Sequence, residues 1–292
     1  MSEAQTTVGT FYRPASLEEA LEVRAETGAV PLAGGTDLLV RHRSWGGTLP
    51  RIEKPVVYLG RIGELSQIDE KKDNGTGRLE IGAMVTYAEL LEDARVPELL
   101  KDAAWELAAP GLRNVATLAG NICNASPAAD AVCALYALDA AVQVASPTAR
   151  REVPIEEFIL GPGKTALASD ELVVGVSVPE TEGNRVFYQK VGTRRANALS
   201  KLSICAHAAV EDDTVSRAAI ALGAVAPTVV RVREAESRIV GASISAVAEH
   251  ADDIVEAYRP YIRPISDQRS TAEYRRDVAA GLVKRFLSEK LA

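Results

Sequence analysis

The order of periodicities along the chain constrains its fold most. After residue 184, three strand-like runs follow one another with no helical segment between them: VFYQKVG, LSICAHAAV and RAAIALGAV. Earlier, LSQIDEK and RLEIGAM flank DNGTG, which reads as a hairpin over 65–84. Helical stretches are interspersed. Ser16 with Glu19, and Thr86 with Glu89, carry the spacing of a capping box. Gly28 is a natural stop for the first of these helices, and Pro97 opens ELLKDAAWELAA. Hairpins mixed with helices exclude the regular alternation of a doubly wound sheet. The expectation is an α+β fold.

A length of 292 residues fits one large or two modest domains. The polar stretch TEGNR after the strand ELVVGVSVP divides the chain into residues 1–180 and 184–292. In the last helix, STAEYRRDVAAGLVKRFLSEKL, Val278, Leu282 and Phe286 share a face. Hydrophobic residues at 47% and charged residues at 25% are ordinary globular values, which excludes disorder. Forty acidic against 33 basic residues give a net charge of −7, which argues against a nucleic-acid binder. Three cysteines, Cys123, Cys133 and Cys205, are too few for a disulfide framework, and an odd number suits a reducing compartment. The start MSEAQTTVGTF has no secretory signal, and the longest apolar stretch, Ala218 to Val230, is too short to span a bilayer. A cytoplasmic protein without a membrane span is expected.

Two turns hold the chemistry. One is Ala33-Gly34-Gly35-Thr36-Asp37, the other Thr117-Leu118-Ala119-Gly120-Asn121. Small residues let successive backbone N–H groups converge on an anion, and a threonine hydroxyl adds a donor. A single diphosphate between the two turns is one reading; two plain tight turns is the other. Asp130 opens a helix-like run, either as a ligand contact or as that helix's cap.

Other signatures fail. There is no G-x-G-x-x-G. Gly163-Lys164-Thr165 imitates the end of a P-loop, but Phe158 stands where the pattern needs glycine. The cysteines and the scattered His42, His207 and His250 match no metal spacing. There is no nucleophile elbow, so no catalytic constellation is assigned.

Taken together, PLAGGTDLL and TLAGNICNASPAAD resemble the paired FAD-binding motifs of the xanthine dehydrogenase and carbon monoxide dehydrogenase family of molybdenum hydroxylases, in its flavoprotein (medium) subunit. The resemblance continues through GPGKTAL, DELVVGVSVP, FYQKVGTRRANALSKLSICAHAA and RSTAEYRRDVAAGLVKR, nearly the whole chain. It implies a PCMH-type FAD-binding domain of two subdomains, then a smaller C-terminal domain with a three-stranded antiparallel sheet and helices. It implies FAD lying extended with its diphosphate between the turns. Leu32, Ala33, Gly34, Gly35, Thr36, Asp37 and Leu38 would form the first contact set. Thr117, Leu118, Ala119, Gly120, Asn121 and Asn124 would form the second. Asp130 matches an acidic FAD contact, Val174 a strand bordering the cofactor, and Lys190 a lysine reaching it from the C-terminal domain.

Three departures stand out. Ala119 replaces the usual glycine, which requires negative φ there. Ala196-Asn197-Ala198 replaces a more acidic stretch. The cysteine-rich insertion of some relatives is missing, and Thr36-Asp37 sits closer to the xanthine dehydrogenase members. The resemblance implies an oxidoreductase subunit that takes electrons from iron–sulfur clusters of a partner and passes them to an acceptor such as NAD. Its partners would be a molybdenum-cofactor large subunit and a 2Fe–2S small subunit, arranged as a dimer of heterotrimers. The rival reading is a stand-alone FAD-dependent reductase of related fold, such as the cell-wall enolpyruvyl reductase.

Overall fold

The computed structural model of the protein describes residues 9–43, 52–73, 76–180 and 183–291. The turn expected at Asn74-Gly75 and part of TEGNR lie outside the described residues.

The first unit runs β1 (Phe11–Tyr12), α1 (Leu17–Thr27), β2 (Val30–Leu32), α2 (Leu38–Arg41) and β3 (Val56–Tyr58). Its strands form a parallel sheet in the order β1-β3-β2. A helix must cross over to make β2 parallel to β1, and α1 does so. Ser16 caps α1 by accepting from the Glu19 N–H, and Gly28 ends it in the left-handed region at φ 64°. The expected box is only half made, because Glu19 turns its carboxylate to the Ala15 N–H. Leu17, Ala20 and Leu21 of α1 pack on Val57, Leu59, Ile62 and Leu65 in a small separate core.

The second unit holds β4 (Ile68–Asp73), β5 (Thr76–Gly82), α3 (Tyr87–Glu92), α4 (Glu98–Trp105), α5 (Pro110–Arg113), α6 (Leu118–Asn124) and α7 (Asp130–Ala137). It continues with β6 (Ala141–Ala145), β7 (Arg150–Pro154), α8 (Ile155–Phe158), β8 (Ile159–Gly161), β9 (Lys164–Thr165) and β10 (Leu172–Pro179). Five strands make an antiparallel sheet in the order β4-β5-β10-β6-β7, with the expected hairpin at its edge. The full capping box at Thr86 and Glu89 is present. The Gly-Lys-Thr stretch that imitates a P-loop is the small β8–β9 hairpin.

The third unit comprises β11 (Arg185–Val191), β12 (Leu202–Glu211), β13 (Thr214–Gly223), β14 (Val230–Arg231), α9 (Arg233–Glu236), α10 (Ile244–Glu249), α11 (Ala251–Tyr258) and α12 (Ala272–Arg285). The three expected strands form the antiparallel sheet, and β14 adds a two-residue edge to β13. Leu282 and Phe286 are buried against it and Val278 packs beside them, as the helical spacing requires.

The cores of the second and third units are not separate. All eight residues of α7 are buried, and Cys133 and Leu135 belong to the same apolar cluster as Cys205, Ala219 and Ala221. Asp139, just past α7, receives Arg217, Arg231 and Arg233. Hydrogen bonds cross at His207 Nε2 to the Ala137 carbonyl (2.9 Å) and Ala224 N–H to the Pro127 carbonyl (2.8 Å). Among the described residues, no helix is long and apolar enough to cross a membrane.

Candidate functional site

A cavity of about 670 Å³ lies where the three units meet, within the size range of roughly 300–1,000 Å³ usual for ligand pockets. Both sequence-predicted turns line it. All of Leu32 to Leu38 reach it, as do Thr117, Ala119, Gly120, Asn121, Asn124, Asp130 and Lys190.

The first turn leaves β2 and enters α2. Gly35 sits at φ 70°, which favours a residue without Cβ. At Gly34 the constraint is different: a Cβ there would lie 1.9 Å from the Val115 carbonyl oxygen. The glycine is required by close approach of the backbone at Val115 and Ala116, just before the second turn, besides any ligand. Among the described residues, none of the N–H groups from Ala33 to Leu38 donates a hydrogen bond within the chain. Six successive donors without a partner among the described residues thus border the cavity, the raw material of a backbone anion nest.

The second turn is the start of α6. The Thr117 hydroxyl, buried, accepts from the Gly120 N–H at 3.1 Å, an ordinary helix cap. The Leu118 and Ala119 N–H groups at the head of α6 are left free among the described residues. Ala119 is not among the positive-φ residues, so the alanine replacing glycine fits its backbone. The helices that follow the turns are tied together at their ends, where the Arg41 guanidinium of α2 donates to Asn124 Oδ1 of α6.

Asp130 and Lys190 form one device. Lys190 Nζ lies 2.6 Å from Asp130 Oδ2, with both side chains almost fully buried, and it also donates to the Glu106 carbonyl at 3.0 Å. The Ser200 hydroxyl donates to Asp130 Oδ1. Burial raises the Asp130 titration point, and Lys190 and Ser200 only partly oppose this. Asp130 is the first residue of α7 and makes no cap bond to it, so the plain-cap reading is overturned.

Two sequence-predicted residues stand aside. Leu118 is buried in the core, away from the cavity wall. Val174 sits at the bulge of β10 and packs toward the first core, while Leu172 and Val173 line the cavity. Other residues of the site carry no clear signal in the sequence. Arg113 is buried and holds the wall loop of Leu107 and Ala108 through the Trp105 and Leu107 carbonyls, both at 3.0 Å. Asn197, Ala198, Leu199 and Arg269 bring the third unit to the rim. Tyr87 lines the floor, and its position directly after the Thr86 cap is the one signal pointing to it. Among the described residues, no group of three or more metal-ligating side chains gathers, and Cys123, Cys133 and Cys205 are unpaired.

The donor set fits a flavin dinucleotide. Residues of both turns with unpaired N–H groups line one cavity, and buried Asn121 Oδ1 and Tyr87 Oη have no partner among the described residues. Fold and cavity therefore offer unpaired donors from two turns to one enclosed ligand space.

Comparison with known proteins gives the family. Residues 4–181 match the FAD-binding domain in molybdopterin dehydrogenase, and residues 187–290 match the CO dehydrogenase flavoprotein C-terminal domain. The chain is 32% identical over 292 residues to a putative xanthine dehydrogenase FAD-binding subunit of Escherichia coli K12, covering 97% of this chain and 96% of that one. It is 31% identical over 287 residues to the carbon monoxide dehydrogenase medium chain of Hydrogenophaga pseudoflava, covering 95% of each. A solved carbon monoxide dehydrogenase structure from that organism superposes with a TM-score of 0.85 at 28% identity, covering 95% of each chain. The chain belongs to the FAD-binding subunits of the molybdenum hydroxylase family, and it is an oxidoreductase flavoprotein.

Proposed function

We propose that the chain accepts electrons from iron–sulfur clusters of a partner chain and delivers them to an external acceptor such as NAD. The observation that supports the placement of the cofactor is the run from Ala33 to Leu38, whose N–H groups are unpaired among the described residues and which lines one cavity with the head of α6. In this reading the backbone of Leu32 to Leu38, with that of Thr117 to Asn121, binds the diphosphate. Gly34 and Gly35 keep the turn open to it, and Thr117 orients the second turn. Asn121, Asn124, Asp130 and Lys190 supply polar contacts along the cavity, and the strand at Val174 borders it through Leu172 and Val173. FAD, when bound, supplies the redox chemistry that joins single-electron donors to a hydride acceptor. The residues of this chain bind, orient and desolvate; no acid–base side chain is required of them.

The names of the relatives, medium chain and FAD-binding subunit, support a heteromeric setting. The proposed assembly is cytoplasmic and pairs this chain with a molybdenum-cofactor large subunit and a 2Fe–2S small subunit, as a dimer of heterotrimers. Within the chain, residues 1–180 form the FAD-binding part and 184–292 the C-terminal part. The test is anaerobic reduction of the FAD-loaded chain. NADH or a dye should exchange electrons with it, whereas purines and aldehydes should reduce the flavin only after the partner chains are added. Substrate-driven flavin reduction by the isolated chain would establish a stand-alone reductase instead.

A further inference from the structure

The floor of the cavity holds a polar group that neither the two turns nor the ion pair explains. Tyr87 is among the largest fully buried side chains, 1% exposed. Its hydroxyl is buried and has no hydrogen-bond partner among the described residues. Leaving such a group unpaired costs far more than the average hydrogen bond contributes. The residue is rigidly placed. Its N–H donates to the Ala116 carbonyl at 3.0 Å, and Thr86 bridges Thr117 across to the second turn. The preceding capping box fixes the start of α3. Tyr87 is thus built into the same frame as the second turn and borders the cavity that the first turn and Asp130 also line.

We infer that the Tyr87 hydroxyl donates a hydrogen bond to bound FAD, making Tyr87 a cofactor-binding residue that positions the ligand. Donation follows from its surroundings. Burial, then the carboxylates of Asp130 and Asp37, push the phenol well above its ordinary titration point, so it stays protonated and needs an acceptor. The inference rests on the assignment of this cavity to FAD.

The experiment uses the full chain stripped of FAD and its Tyr87→Phe variant. Removing a buried unpaired hydroxyl while keeping the ring should leave the melting temperature of the FAD-free chain unchanged or raise it by about 1–3 °C. The same change should weaken FAD binding about tenfold, because the ligand acceptor then goes unpaired. The two effects have opposite sign, which a purely structural role cannot produce. Titration with ADP and with FMN locates the contact, and a loss with either probe supports the inference. Equal FAD affinity in variant and parent overturns it, as does a lowered FAD-free melting temperature with unchanged affinity; in both cases the hydroxyl is satisfied by water. Failure of the parent chain itself to bind FAD is a different result. It overturns the cavity assignment.

Discussion

The contact between Asp130 and Lys190 makes a quantitative claim about the protein without its cofactor. Replacing Asp130 by alanine leaves the Lys190 ammonium, 7% exposed, with only the Glu106 carbonyl as partner among the described residues. Stranding one member of a buried ion pair costs about 3–5 kcal/mol. Burial already raises the titration point of Asp130, so losing the carboxylate also relieves a desolvation cost. The lower figure, about 3 kcal/mol, is therefore expected, a large part of the roughly 5–15 kcal/mol that holds a domain folded. With a urea slope near 3 kcal/mol/M, the midpoint of the FAD-free chain should fall by about 1 M. Asp130→Ala combined with Lys190→Met removes both charges and should recover most of that loss. The resulting coupling should be about 2 kcal/mol, the range for residues in direct contact. The amino-acid sequence alone points elsewhere, to an Asp130→Ala effect mainly on FAD affinity and little on the FAD-free protein. An unchanged urea midpoint in the single variant, with a double variant no more stable, would refute the reasoning from geometry and restore that expectation.

Other expectations follow from the same distances. Gly34→Ala places a Cβ 1.9 Å from a backbone oxygen, so the two turns must part; stability should drop by about 1–3 kcal/mol, and FAD affinity with it. Gly120→Ala meets only Thr117 Oγ1 at 3.0 Å, and calorimetry should find the fold changed by less than about 1 kcal/mol. Burial alone would raise the Asp139 carboxyl, but hydrogen bonds from Arg231 and Arg233 outweigh it and hold it below its ordinary value. Its contribution is then fully present above the unfolded value near 3.9 and is lost as pH falls through the lower folded value. Denaturant titrations between about pH 5 and pH 3 should show a flatter loss of stability in Asp139→Asn than in the parent, and equal slopes would refute the assignment.

Local features of the fold are legible in the amino-acid sequence. Ser16, Gly28 and Thr86 mark helix ends by local hydrogen bonding and Pro97 by its fixed φ, all of which residue type and spacing encode directly. The two turns are visible because small residues interrupt apolar runs. What stays hidden is long-range. Asp130 and Lys190 are each readable as cofactor contacts, but their meeting across 60 positions depends on how α7 packs against β12, the strand to which β11 is paired. The reason for Gly34 is equally hidden, since the atom it makes room for belongs to Val115. Tyr87 carries a cap signal from Thr86, which says that a helix starts there and not that its first side chain lies under a ligand cavity. Val174 falls one position off the cavity wall, because the bulge between Val173 and Gly175 shifts the alternation of β10.

The buried helix α7 has a consequence for how the protein is made. Its eight residues are covered partly by β12 and β13, whose last residue, Gly223, is synthesised 86 positions after Ala137. At about 5–20 residues per second, the ribosome takes roughly 4–17 s to deliver that cover. During this interval the emerging chain carries α7 with an apolar flank open, and Asp139 waits for Arg217, Arg231 and Arg233. A ribosome-bound chain halted before residue 202 should therefore recruit a holdase chaperone, and one extended well past Gly223 should release it.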